Sequence, residues 1–189
     1  MATFNQQAVE TKKAPAPRSI SRQALLNVFV ACAFPIHVWL IINVMREVPA
    51  WILRLSIWDL VGVISYSLMF ALLETSVIFA GIVLLGFIVP GRFFRHKFVA
   101  LSTMLVFVTS IWFVILQYNS WIIEFKRPFI TLIWGLTYLI AVIIGYWFVN
   151  RRPKLEAGIN NFVQRLGVLS FIYIFLDVVG LIIVIIRNI

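Results

Sequence analysis

The sequence predicts an all-α integral membrane protein, a bundle of five transmembrane helices with a short external interfacial helix. Of its 189 residues, 62% are hydrophobic and only 12% are charged, a balance outside the usual range of soluble domains. Five apolar runs, each near or above the roughly 20 residues that cross a bilayer, alternate with charged segments. We therefore expect nearly the whole chain to span the membrane or to connect spans, without a separate soluble catalytic domain.

A polar, basic tail precedes the first apolar run. Residues 1–23 carry four Lys and Arg, and Ala alternates with Pro over residues 14–17. That alternation opposes helix formation, and a tail of this composition cannot bury a core. We predict a flexible basic tail over residues 1–23, followed by a single transmembrane domain over residues 24–189.

The first span is predicted over about residues 24–44. Pro35 lies inside it and lacks a backbone donor, so we expect a kink there. The second span is an apolar run of 30 residues that contains one carboxylate, Glu74, near its centre. It is longer than a bilayer requires and is expected to tilt. The second to fifth spans are predicted at about 60–89, 98–118, 128–149 and 166–186.

The segment between the first two spans is predicted to lie at the membrane surface. Trp51, Leu55 and Trp58 are spaced i, i+4 and i+7, which places them on one face of a helix, and Pro49 suits a first helical turn. This pattern is typical of a short helix in the headgroup region. The alternative is an ordinary loop with two Trp anchors.

Positive charge is divided unequally between the two sides that the spans define. The N-terminal tail and the connections at 90–97 and 150–165 share one side and carry eleven Lys and Arg, against five on the other side. The positive-inside rule then places the N-terminus in the cytoplasm and the C-terminus outside. We expect a multi-pass protein of the cell membrane.

Three titratable side chains fall inside predicted spans, namely His37, Glu74 and Asp177. Their expected depths differ by only a few ångströms before tilt, so they are candidates for one hydrogen-bonded cluster. Ionisable groups inside a membrane are costly and usually have a partner or a task. One interpretation is a proton or cation relay, or a polar ligand site. The other is that the carboxyl groups are protonated and only bond Tyr173, a serine or another chain, while His37 satisfies backbone groups beside a kink.

Small and hydroxylated residues share a helical face with each carboxylate, as on faces that pack against other helices. The face of Glu74 contains Ser67, Ala71, Ile78 and Gly81, and the face of Asp177 contains Ser170, Tyr173 and Gly180. We therefore predict a closed bundle with both carboxylates turned inward.

Six basic residues in the cytoplasmic connections are candidates for binding an anionic lipid. A role as topology determinants alone is the alternative. These residues are Arg92, Arg95, Lys97, Arg151, Arg152 and Lys154.

Several chemistries are excluded by the sequence. It contains no phosphate-binding loop, nucleophile elbow or metal-protease motif, and Cys32 is its single cysteine. We expect Cys32 to be a small buried residue, and we expect no catalytic site, no metal and no cofactor. The net charge of +9 does not indicate nucleic acid, because the cations cluster in the tail and loops beside lipid headgroups.

The leading hypothesis is a non-enzymatic integral membrane subunit of a larger membrane-protein assembly. Its partners would be membrane lipids and other subunits or further copies of the chain. The alternative is a small homo-oligomeric channel or transporter that moves protons or cations along Glu74 and Asp177. A third hypothesis is a membrane sensor or signalling partner of a cytosolic protein.

Overall fold

A computed structural model describes residues 20–91, 93–121 and 128–189. These residues form five long α-helices, and no strand occurs among them. All five helices are long and apolar enough to cross a membrane, which confirms the predicted all-α polytopic bundle. The helices are α1 (Arg22–Ile52), α2 (Ile57–Ile88), α3 (Phe98–Tyr118), α4 (Pro128–Arg151) and α5 (Pro153–Asn188).

Helix α1 is longer than the sequence predicts. It begins after Ser21, whose side chain accepts a hydrogen bond from the Ala24 amide, and it continues through Pro35 and Pro49 to Ile52. The predicted separate interfacial helix is therefore wrong, since Trp51 belongs to α1. Transmembrane helices tolerate internal proline because nearby groups satisfy the backbone atoms that proline leaves unpaired.

Helix α2 starts only a few residues later with a side-chain cap. The Ser56 hydroxyl accepts from the Asp59 amide at 3.2 Å and donates to the Asp59 carboxylate at 2.7 Å. The helix ends at Ile88, because Pro90 favours an extended conformation at Val89, as observed. Its 32 residues give a length of about 48 Å, well beyond the hydrocarbon thickness of a bilayer.

Helix α5 begins much earlier than the span predicted at 166–186. A single residue, Arg152, separates it from α4, and Pro153 occupies its first turn, where the missing amide hydrogen has no cost. The polar segment after residue 150 is therefore helical. The predicted tail of residues 1–23 lies outside the described residues as far as residue 19.

The helices α1, α2, α3 and α5 form the packed centre, and α4 lies at the edge against α3 and α5. Of the residues in α4, Val149 is the one that is buried. We call the end that carries the start of α1, the 90–97 connection and Arg152 the basic end. The main apolar core lies towards this end and includes Val28, Cys32, Leu101 and Val149. Cys32 is fully buried, as predicted.

Candidate functional site

A buried histidine–carboxylate pair joins α1 to α5 inside the bundle. The Nε2 atom of His37 lies 3.2 Å from both carboxylate oxygens of Asp177. The two residues are only 1% and 4% exposed, so little solvent or lipid reaches them. Burying unpaired charges would be costly, whereas a hydrogen-bonded pair satisfies both groups.

The other ring nitrogen of His37 determines the protonation of the site. Nδ1 lies 2.9 Å from the carbonyl oxygen of Ala33, and a carbonyl only accepts hydrogen bonds, so Nδ1 carries a proton. If neither Nε2 nor Asp177 carried a proton, two acceptors would face each other at 3.2 Å, so one further proton lies on Nε2 or on the carboxylate. The pair is net neutral whether that proton resides on the imidazole or on the carboxylate. Pro35 frees the carbonyl of Ala31 rather than that of Ala33, so His37 does not replace the bond that proline removes.

The ring of Tyr173 stacks on the imidazole of His37. Its ring lies 5.0 Å from the imidazole of His37, centroid to centroid, with an angle of 21° between the planes. Tyr173 precedes Asp177 by four residues, about one turn of α5, so one helix face supplies both contacts to His37. The ring therefore restricts the orientation in which the imidazole meets the carboxylate.

The spacing of small and polar residues along α5 explains why this face is buried. Its buried residues recur at alternating steps of three and four, which keeps them on one side of the helix. The predicted face of Asp177 with Ser170, Tyr173 and Gly180 is confirmed. A Cβ atom at Gly180 would lie 3.4 Å from Leu68 and from the Ser65 carbonyl, an ordinary van der Waals distance, so Gly180 lies where α5 packs against α2.

Glu74 is not part of this pair. Its side chain is exposed on the outside of the bundle, so the prediction that both carboxylates turn inward is wrong for Glu74. The buried stripe of α2 lies beside the predicted face and shares only Ala71 with it. Its members are Gly62, Ser65, Leu68, Ala71, Thr75, Ile82 and Gly86. The hydroxyls of Ser65 and Thr75 bond carbonyls of their own helix, so they can be buried without an outside partner.

Glu74 instead lines a groove between α1 and α2, together with Ser67 and Asn43. The apolar walls of the groove include Trp39 and Phe70. A carboxyl, a hydroxyl and an amide thus line one outer groove near the middle of α2. The Ser67 hydroxyl donates to the Val63 carbonyl at 2.9 Å, so towards the groove it is able only to accept. This arrangement is able to hydrogen-bond a polar group that approaches from outside the bundle.

Two of the six predicted lipid-binding cations cap helix ends. Arg95 donates from Nε to the carbonyl oxygen of Gly86 at 2.9 Å, near the end of α2. Lys97 donates from Nζ to the carbonyls of Val149 and Asn150 at 3.1 and 3.2 Å, near the end of α4. Cations are favourable at these positions because the last carbonyls of a helix are unpaired and carry partial negative charge.

Three of the other four predicted cations lie around the connection from α4 to α5. Arg151, Arg152 and Lys154 are exposed there. Arg92 lies outside the described residues.

At the opposite end of the bundle, Arg187 contacts Asp59 and Trp58. We call this set of contacts the clasp, and the sequence analysis did not predict it. Arg187, near the end of α5, forms an ion pair with Asp59 and donates to the carbonyl of Trp58 at 2.7 Å. A side chain at position 62 would collide with the guanidinium, so Gly62 makes room for it. Asn188 adds a hydrogen bond to the Tyr66 hydroxyl at 2.7 Å. In the sequence, the one indication of this contact was an acidic residue, Asp59, at the start of one span and a basic residue, Arg187, at the end of another.

Comparisons with known proteins do not identify the site. No family model, curated protein or solved structure matches this chain. Among the described residues, no group of three or more His, Cys, Asp or Glu is arranged to hold a metal ion.

Proposed function

We propose that this chain is a non-enzymatic integral membrane subunit of a larger membrane-protein assembly. The observation that supports this is the position of Glu74, an exposed carboxyl on the outer surface near the middle of a long apolar helix. An ionisable group at this depth is unfavourable against lipid tails and usually faces protein or a water-filled cavity. A neighbouring helix of another subunit would satisfy it.

The surroundings of Glu74 indicate how a partner helix binds. Ser67 and Asn43 line the same groove, so an approaching helix meets three polar side chains between apolar walls. Hydrogen bonds between transmembrane helices are each worth about 0.6 kcal/mol on average, so several must combine with close packing. The partner we expect therefore presents a hydrogen-bond donor at this depth.

The first test is gentle extraction of the tagged chain from native membranes, with size analysis and mass spectrometry of what accompanies it. We expect stoichiometric foreign membrane subunits with the wild type. Glu74→Leu should release them, because the groove loses its strongest acceptor. Ser76→Ala is the matched control, since Ser76 is exposed on the same helix but does not line the groove. A wild type that travels alone as a monomer, or partners retained by Glu74→Leu, would contradict the proposal.

A homo-oligomeric channel or transporter is the second candidate, and the same outward carboxyl favours it. Copies that meet through the groove of Glu74 would bring their carboxyls together along a shared interface. In that arrangement Asp177 is not on the path, because it is enclosed against His37. We expect a pure homo-oligomer on extraction, and proton or cation flux in liposomes that Glu74→Gln abolishes without disturbing assembly. Unchanged flux in that variant would exclude this candidate.

The topology that we propose has the basic end in the cytoplasm of a cell membrane, because the Lys and Arg excess lies there. Cys32 is fully buried and gives a silent background for labelling with a membrane-impermeant maleimide. Leu53→Cys, at the opposite end and 86% exposed, should react in intact cells. Lys154→Cys should react only after permeabilisation. The reverse pattern would overturn the topology.

A further inference from the structure

The connection between α4 and α5 holds two guanidinium groups over aromatic rings. The Cζ atom of Arg151 lies 4.6 Å from the ring centre of Trp147, and that of Arg152 lies 5.2 Å from the ring centre of Phe148. Each pair is spaced i, i+4, so one turn of helix brings ring and cation together. Such contacts occupy a face of the guanidinium and leave N–H groups at its edge able to donate.

These two cations and Lys154 lack acceptors within the part of the chain that the structure describes. Arg151, Arg152 and Lys154 are exposed, and no carboxylate or carbonyl among the described residues bonds their charged groups. The nearby carboxylate of Glu156 is engaged by Lys97, with Nζ and Oε2 2.8 Å apart. Three positive charges therefore line one space, with no counter-charge supplied by the described residues.

An apolar groove adjoins the three cations. It has a volume of about 330 Å³ and runs between α3, α4 and α5, with walls that include Met104, Phe107 and Phe162. Phe148 and Leu155 line both this groove and the space beside the cations. The cationic site and the apolar groove are therefore adjacent parts of one surface.

We propose that this surface binds one anionic glycerophospholipid, independently of the assembly proposed above. The phosphate accepts hydrogen bonds from Arg151, Arg152 and Lys154, and one acyl chain lies in the groove. Charge complementarity selects an anionic headgroup, and the apolar walls select a molecule with a hydrocarbon tail. A soluble phosphate would use the cations but not the groove. Arg95 and Lys97 are not part of this site, because they cap α2 and α4.

Native mass spectrometry of the full chain in mild detergent tests the proposal, with dioleoyl phosphatidylglycerol and dioleoyl phosphatidylcholine as probes. We expect preferential retention of one phosphatidylglycerol per chain. Removing two of the three charges, as in Arg152→Gln with Lys154→Gln, should weaken that retention by about thirtyfold. The matched control is Arg22→Gln with Arg165→Gln, which removes two exposed charges from the same end and should preserve the preference.

A second variant tests the groove without changing charge. Ile111 lines the groove and is 53% exposed, so Ile111→Trp is expected to fill it without disturbing the core. Retention of phosphatidylglycerol should fall. Equal losses in the two charge variants, or no preference over phosphatidylcholine, would overturn the lipid site. Displacement by millimolar inorganic phosphate, with no effect of Ile111→Trp, would identify a site for a free anion instead.

Discussion

The imidazole of His37 is hydrogen-bonded through both of its nitrogens, and this limits the protonation states of the pair. The Ala33 carbonyl keeps the proton on Nδ1, so only the proton between Nε2 and Asp177 has a choice of position. Either position leaves the pair net neutral, which lowers the cost of enclosing it in a membrane protein. The pair is thus suited to hold α1 against α5.

Replacing one member of the His37–Asp177 pair is expected to lower the free energy of unfolding more than replacing both members. Asp177→Leu should lower the free energy of unfolding by about 1–3 kcal/mol, because Nε2 is left buried without a partner. Adding His37→Leu should recover part of that loss. In Asp177→Asn the side-chain amide is able to donate to Nε2, so this variant should lose less free energy of unfolding than Asp177→Leu. Reversible unfolding in mixed micelles gives the double-mutant cycle, and additive losses would show that the pair is not coupled.

Glu74 and Asp177 look alike in the sequence, yet they face opposite environments. Both are single carboxylates on apolar helices with small residues at helical spacing, and only the face of Asp177 is buried. Leu and Ile are as compatible with lipid as with a protein core, so apolar periodicity does not reveal which side of a membrane helix packs. The orientation of Glu74 was therefore beyond what its own helix could indicate.

At the scale of helices, the ends are stabilised by residues from neighbouring elements. Ser56 caps the start of α2 locally, whereas Lys97 reaches the last carbonyls of α4 from a connection more than 50 residues earlier. Local caps follow from sequence spacing. A cap supplied from a distant segment does not, and for this reason Arg95 and Lys97 were interpreted as lipid-binding cations or as topology determinants.

Removing the cap on α4 should loosen the α4–α5 connection. We expect Lys97→Met to raise amide exchange around residues 149–155 and to cost about 1 kcal/mol, because the carbonyls lose their cation and Glu156 loses its ion pair. Hydrogen exchange followed by mass spectrometry measures this. Arg165→Met is the control, since it removes an equal charge from an exposed residue outside this segment that caps nothing. Equal exchange in the two variants would show that Lys97 acts only through net charge.

For the whole molecule, the clasp at Arg187 joins the end of the chain to the start of α2. Gly62→Val should displace the guanidinium and therefore resemble Arg187→Gln, each lowering the unfolding temperature in detergent. The combination of both changes should cost little more than either alone. Gly81→Val is the control, because a side chain there meets open space. Thermal unfolding in detergent compares these four variants with the wild type, and fully additive losses would contradict a shared contact.

The amino-acid sequence by itself determined the class of the protein, its five membrane-crossing helices and the packed face of α5. These follow from hydropathy and from a regular stripe of small and polar residues, which local geometry converts into helices and a buried seam. Only the tertiary structure decided the pairing of His37 with Asp177, the outward position of Glu74 and the clasp at Arg187. Each depends on the rotation of one helix against another, and apolar side chains tolerate many rotations until close packing and buried hydrogen bonds select one.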